Sequence, residues 1–238
     1  MNKLQELQKI TDSVDGWLTP REGEFLYNAA KKCPKGTVIV EIGSWKGKST
    51  IWLGSGSKEG NRAVIYAIDP HTGSSEHRKS FGKVWTFGKF KKNIKKAGIA
   101  DVVVPVVKTS EAAAKDWKKK VGFLWIDGAH EYEMVLLDYK LWEPHLVNGG
   151  VIAFHDSQTK GPRRVVKKHL YCGSKFKNVG FIEGVTYATK VGRITAADKA
   201  RNLYAFLLTT VYSLAGRVPL PKFVKVIGNK MAKIFQAN

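Results

Sequence analysis

Cysteine is scarce: Cys33 and Cys172 are the only two in 238 residues. Two thiols cannot build a disulfide framework and lack metal-ligand spacing, so both are expected to be reduced structural residues of a cytoplasmic protein. Long apolar runs are missing as well, and none approaches the roughly 18 residues that a membrane-spanning helix needs. Residues 1–15 are charged and carry no continuous apolar stretch, so they read as neither a secretory leader nor an anchor. Acid is the third shortage: 20 Asp and Glu stand against 40 Lys and Arg, a net charge of +20. The deficit is local, because residues 79–96, 160–177 and 217–238 carry seven, seven and five basic residues and no acid. Blocks of one sign attract polyanions such as nucleic acid, an anionic membrane or a phosphorylated substrate, unless they are only solvated faces.

What is present suits a globular domain, since 43% apolar residues in a chain of this length can fill one sizeable core. Five Val- and Ile-rich runs, 37–42, 63–68, 102–107, 121–126 and 150–154, are each followed by a helix-compatible stretch. Near-continuous apolarity marks strands buried on both faces of a parallel sheet, and the alternation predicts βαβ units. Runs 176–182 and 185–189, separated by Glu183-Gly184, predict a hairpin that adds an antiparallel edge. The expected fold is α/β: a doubly wound, Rossmann-like, mostly parallel seven-stranded sheet with helices on both faces and helical extensions at both ends. Residues 1–35 form the N-terminal flank, with a helix over 20–32 closed by the breaker cluster Cys33-Pro34-Lys35-Gly36. Residues 36–192 form the main domain and 193–238 a basic tail. In the tail, 203–214 is mostly apolar, and 222–236 places Phe223, Val226, Ile227, Met231, Ile234 and Phe235 at helical spacing among four lysines. Such a helix packs on the domain, packs on a second subunit of a homo-oligomer, or lies peripherally in an anionic membrane surface.

Doubly wound sheets bind ligands at the carboxyl ends of their strands. The first run ends in Glu41-Ile42-Gly43-Ser44-Trp45-Lys46-Gly47-Lys48-Ser49, the pattern E-x-G-x-x-x-G. Glycines at a strand-to-helix turn let the backbone approach a ligand, and the following helix offers free N–H groups. A P-loop requires G-x-x-x-x-G-K-[ST], for which Gly43 and Gly47 are one residue too close, and the dinucleotide fingerprint G-x-G-x-x-G is absent. The second run ends in Asp69-Pro70, an acid placed to accept from both hydroxyls of a ribose. Together the two motifs resemble the class I S-adenosylmethionine-dependent methyltransferases over roughly residues 36–157. That resemblance implies a cofactor held by Glu41, Gly43, Ser44, Gly47, Ser49, Asp69 and Pro70, with Asp127 completing the set. Thr109 or Ser110 would lie beside the adenine, or would simply cap the helix beginning at Glu111.

The fourth run ends in Trp125-Ile126-Asp127-Gly128-Ala129-His130-Glu131-Tyr132 and the fifth in Phe154-His155-Asp156-Ser157. Side chains from two adjacent strand ends can converge on a hard divalent ion such as Mg²⁺, although imidazole is softer than the usual oxygen ligands. The I-D-G-x-H-x-Y and H-D-S wording is similar to the small O-methyltransferases that include the macrocin-type sugar enzymes, and more distantly the catechol type. The resemblance implies Asp127, His155 and Asp156 as ligands of an ion that orients and acidifies the accepting hydroxyl. It departs from the family at His155, where an acid is common. His130 reads either as the general base or as a loop anchor bonded to Asp127 or Asp156, so Asp127, His130 and Asp156 are the candidate catalytic residues. The expected activity is methylation of a hydroxyl on a sugar, glycoconjugate or other small polar acceptor, anionic acceptors included. The alternative is methylation of RNA through the basic surface, for which no binding motif is present. A non-catalytic binding module is disfavoured because the acids at three strand ends are all in place. His71 is expected at the surface, with the cofactor pocket as its alternative, and Trp45, Trp52, Trp117, Trp125 and Trp142 are assigned to the core.

Overall fold

The computed structural model describes residues 3–73 and 82–215, so the basic helix expected over 222–236 lies outside the described residues. Two helices precede the sheet, α1 (Lys3–Asp12) and α2 (Pro20–Lys31). Local chemistry starts α2 where it does. The Thr19 hydroxyl accepts from the Glu22 backbone N–H, the Glu22 carboxylate accepts from the Thr19 N–H, and Pro20 occupies the first turn, where no N–H is needed. The sheet then builds from β1 (Val38–Ile42), α3 (Lys48–Glu59), β2 (Ile65–Ile68), α4 (Phe87–Lys96), β3 (Val103–Val106), α5 (Ser110–Ala114), β4 (Val121–Ile126), α6 (Tyr132–Trp142) and β5 (Leu146–Phe154). It finishes with α7 (Lys160–Val166), the hairpin β6 (Phe176–Ile182) and β7 (Val185–Lys190), and α8 (Ala196–Ala215).

The strand order is β3-β2-β1-β4-β5-β7-β6. Strands β1 to β5 run parallel, and β7 is antiparallel to both β5 and β6, the seven-stranded α/β architecture expected from the sequence. Side chains alternate between the faces, which is why both core layers can be apolar along one strand. On one face Ile39, Ile65, Phe123 and Trp125 pack with Leu26 of α2, Ile51 and Leu53 of α3 and Phe90 of α4. On the other, Val40, Leu124, Ile152 and Phe154 pack with Val135 and Trp142 of α6, Val165 of α7 and Ala205 of α8. Burying a side chain of this size contributes about 1.5–3 kcal/mol, so both layers matter to stability.

Register decides what meets at the carboxyl edge. Ile42 is level with Ile68 and with Ile126, and Ile126 is level with Phe154. The residues that follow, Gly43, Asp69, Asp127 and His155, therefore emerge side by side, at the point where the strand order reverses. α2 is held close to this edge by its packing on α3: a Cβ added at Gly56 would lie 2.1 Å from the Tyr27 carbonyl oxygen, so the two helices touch at backbone distance.

The largest departures from the expected boundaries are in β5 and α8. β5 begins at Leu146, because a 3₁₀ turn over Glu143–His145 delivers Leu146 opposite Val121 before the register breaks. The apolar stretch 203–214 is the later part of a 20-residue helix, whose buried Asn202 accepts from the Val179 N–H and donates to the Phe176 carbonyl, tying α8 to edge strand β6. Among the described residues no helix is long and apolar enough to cross a membrane.

Candidate active site

The tips of β1 and β2 form one half of the cleft. Gly43 has φ +88°, and a Cβ there would lie 2.1 Å from the Asp127 carbonyl oxygen. Glycine is thus required because the backbones after β1 and β4 meet, a reason the motif alone does not reveal. The next turn holds Trp45 at φ 47°, a costly conformation for a bulky residue. Its N–H donates to Asp69 Oδ2 at 2.7 Å, and the His71 N–H donates to Asp69 Oδ1 at 2.6 Å. Two backbone donors from two turns fix the Asp69 carboxylate, whose remaining lone pairs can accept from a ligand diol. Beneath the turn Glu41 is wholly buried and accepts from Ser49 Oγ at 2.5 Å and Thr50 Oγ1 at 2.6 Å. Burial pushes its carboxyl up to about 8, opposed by the two hydroxyl bonds and reinforced by the charges of Asp127 and Asp69.

His71 is fully buried, which corrects the surface placement expected for it. Its φ of 58° turns the chain inward, its Nδ1 lies 2.8 Å from Thr86 Oγ1, and its ring packs against Phe87 and Phe90. Among the described residues, His71 Nε2 and Ser44 Oγ are buried without a hydrogen-bond partner, although buried polar atoms are almost always paired.

The tips of β4 and β5 form the other half, centred on His155. Its Nδ1 lies 3.0 Å from Asp127 Oδ1 and 3.2 Å from Asp156 Oδ2, and its Nε2 lies 3.4 Å from Glu22 Oε2. Burial favours the neutral ring, but the Asp127 charge and hydrogen bonds to Asp127, Asp156 and Glu22 override it and hold His155 protonated well above the ordinary imidazole range. Both ring nitrogens of His155 face carboxylates in this arrangement. A group that could hold an ion also includes His130: one ligand atom each from Asp127, His130 and Asp156 falls within 4.8 Å of the others. His130 Nε2 lies 3.2 Å from Asp156 Oδ2. Hydrogen bonds from His130 and His155 hold Asp156 well below the usual carboxylate range, at a residue whose φ is 47°.

Glu22 is the member that sequence reasoning missed. It is 3% exposed and 133 residues distant from His155 in the chain. Burial raises its carboxyl, but His155 and the N–H groups of Thr19 and Gly184 outweigh burial and hold it below the ordinary range. Its visible signal was a capping-box position, which explains only half of what it does.

The other candidate residues also make contacts within the protein. Ser49 spends its hydroxyl on Glu41. Thr109 caps α5 by accepting from the Ala112 N–H at 3.2 Å, and that helix starts at Ser110 instead of Glu111. Ser110 Oγ accepts from Trp142 Nε1 at 2.9 Å. Pro70 sits half-buried between Asp69 and His71, and Gly47, at φ 92°, opens α3. Trp52, Trp125 and Trp142 are core residues as expected, whereas Trp45 and Trp117 are only half-buried.

Comparison with known proteins places this edge in context. A family model described as a methyltransferase domain matches residues 40–157, from β1 to the turn after β5. An uncharacterised protein of Acanthamoeba polyphaga mimivirus is 29% identical over 158 residues, covering 65% of this chain and 67% of its own. Among solved structures, the O-methyltransferase TomG of Streptomyces achromogenes, involved in tomaymycin synthesis and in complex with S-adenosylmethionine, is similar at TM-score 0.54 and 15% identity, covering 81% of this chain and 91% of that one. A methyltransferase from Podospora anserina bound to S-adenosylhomocysteine has TM-score 0.56 and 15% identity, covering 80% and 88%. At such identities the solved structures attest the fold alone.

Proposed function

We propose that this S-adenosylmethionine-dependent methyltransferase methylates a hydroxyl oxygen of a small polar acceptor such as a sugar or glycoconjugate. The carrying observation is the convergence of Asp127, His130 and Asp156 at the tips of β4 and β5, beside the Gly43 turn. The likeness to TomG, an O-methyltransferase, supports the choice of oxygen.

The cofactor fits the donor half. Asp69 presents lone pairs to the ribose, and the buried Ser44 hydroxyl and His71 Nε2 are atoms that a bound cofactor would satisfy. Methyl transfer from a sulfonium is an in-line displacement, for which alignment can supply about 7–11 kcal/mol in well-oriented systems. The acceptor oxygen forms the new bond to the methyl carbon, the carbon–sulfur pair returns to sulfur, and the hydroxyl proton passes to the His130 imidazole, which Asp156 orients. His155 stays protonated and keeps Asp127 and Asp156 from repelling one another. Asp127, His130 and Asp156 also fit a divalent ion such as Mg²⁺, which would acidify and orient the hydroxyl when bound; His130 would then be its ligand in place of acting as base.

Transfer of labelled methyl into a fractionated host extract, with and without EDTA, tests the reading. Label is expected in carbohydrate or other small polar molecules. Asp127→Asn should lower transfer by about 10³-fold while S-adenosylhomocysteine still binds; full activity in that variant would remove Asp127 from the chemistry. The exposed lysines 89, 91, 92, 95 and 96 along α4 favour a second reading, RNA methylation, and label confined to RNA would select it.

A further inference from the structure

We propose that the outer face of α8, together with the basic segment beside it, is a docking surface for an anionic lipid bilayer. The surface is independent of the acceptor argued above. Four of the nine large apolar side chains that stand exposed among the described residues sit on this one helix. Leu203, Leu207 and Val211, which are 43%, 56% and 54% exposed, follow one another at intervals of four, and the exposed Tyr204 adjoins the first. Residues four apart lie one above the other on a helix, so they form a single stripe about 12 Å long. Contiguous exposed apolar surface of this kind marks an interaction site.

The packing of α8 explains why the stripe points outward. Asn202 and Ala205 are buried on the opposite side, Asn202 fastened to β6, which turns Leu203 and Leu207 away from the sheet. No charged residue lies between Leu203 and Val211. Thr209 and Thr210 spend their hydroxyls on the Phe206 carbonyl, at 2.8 and 2.9 Å. The flank is basic. Residues 160–177 carry seven Lys and Arg and no acid, and they run alongside α8: Arg163 Nη2 donates to Thr210 Oγ1 at 3.4 Å, and Lys167 Nζ lies 5.2 Å from the Phe206 ring centre. Lys167 and Lys168 are exposed. Glu183, which lines the small cavity beside Phe206 and Thr209, is bonded to Thr19 and lies 3.7 Å from Arg21. No acid follows Asp198 in the sequence, and residues 217–238, outside the described residues, add five basic ones.

An apolar stripe bordered by cations selects its occupant by charge. A second copy of the chain would set one basic block against another, and like charges oppose that pairing. A nucleic acid would satisfy the lysines through its phosphates but would leave Leu207 and Val211 in water. An anionic bilayer offers both partners, acyl chains at interfacial depth for the stripe and headgroup phosphates for the cations. The chain then lies on the bilayer, because no described helix is long and apolar enough to cross it.

The test sediments the full chain with vesicles of phosphatidylcholine alone and of phosphatidylcholine mixed with phosphatidylglycerol. Binding to the anionic vesicles should be about tenfold or more tighter than to the neutral ones and should weaken as salt is added. Leu207→Gln combined with Val211→Gln, and separately Lys167→Gln combined with Lys168→Gln, should each weaken it by about tenfold. S-adenosylhomocysteine affinity should be unchanged in both, which reports an intact fold; if the stripe variant loses it, the lysine variant decides. Both variants keep residues 217–238, so pelleting equal to that of the parent chain would assign the binding to that segment and overturn the proposal. Equal affinity for neutral and anionic vesicles would overturn it too. So would an absence of pelleting, and a dimer in sedimentation velocity that the stripe variant breaks would then identify the face as a contact between copies.

Discussion

At the tips of β1 and β2 the ligating groups are set by backbone: two N–H groups grip Asp69, and Gly43 sits where two chains touch. At the tips of β4 and β5 they are set by charged side chains, with the His155 imidazolium gathering Asp127, Asp156 and Glu22. The first arrangement uses residues of neighbouring turns. The second depends on a helix that arrives from the far end of the chain. Substitutions should therefore separate the halves, one class disturbing the donor site and the other the chemistry, except at the seam that joins them.

Gly43 is that seam, and its variant should give the largest effect. A Cβ at 2.1 Å from the Asp127 carbonyl, at φ +88°, forces β1 and β4 apart. Gly43→Ala is expected to lower unfolding free energy by about 3 kcal/mol in urea titration and to weaken cofactor binding and transfer together. If one function survives intact, the halves are less rigidly joined than the contact implies.

Glu22→Gln should touch one half only. The amide keeps one acceptor oxygen, enough for either the Gly184 N–H at Oε1 or the Thr19 N–H at Oε2, and removes the charge facing His155. A charged hydrogen bond in this setting is worth about 2 kcal/mol, to be read as lost stability. The falling kcat should come with unchanged S-adenosylhomocysteine affinity, and equal loss of both would mean that α2 supports the whole cleft instead of the ion cluster.

Glu41 probes the donor half through pH. Its folded pKa is raised from 4.5 to about 8, so over that interval the native state keeps a proton that the unfolded chain has lost. Stability from this group is complete below pH 4.5 and declines as pH rises to about 8. In urea titrations at about pH 5 and 6.5 Glu41 should contribute a decline of at most about 1.4 kcal/mol per unit, with Asp138, pushed up to about 6 by burial, adding to it. Glu41→Gln should reduce the decline, and an unchanged slope would assign it to other groups.

The same contrast explains how far the sequence could be read. Strand-end positions were legible because apolar runs mark strands and register carries their ends to one level, so Gly43, Asp69, Asp127 and Asp156 could all be named. Choosing between two histidines could not be done from spacing. His155 is held as a cation first by Asp127 and Asp156, and Glu22, carried in by α2 as it docks at backbone distance through Gly56, adds to them. His71 was misplaced for a similar reason, since its burial depends on Thr86, Phe87 and Phe90 closing over it.

Thr109 sharpens the comparison at the smallest scale, because it lies at a strand end in the donor half yet makes a purely local contact. Its hydroxyl accepts from the Ala112 N–H and stands at the N-cap of α5. Removing such a cap costs about 1 kcal/mol, so Thr109→Ala should lower the urea midpoint slightly and leave cofactor affinity where it was. The five-residue α5 ends in the buried Ala114 beneath the second core layer, so the loss is expected as fraying of that turn. Retained stability with weakened S-adenosylmethionine binding would reverse the assignment, making Thr109 a side-chain contact to the adenine and giving the donor half a component that backbone does not hold.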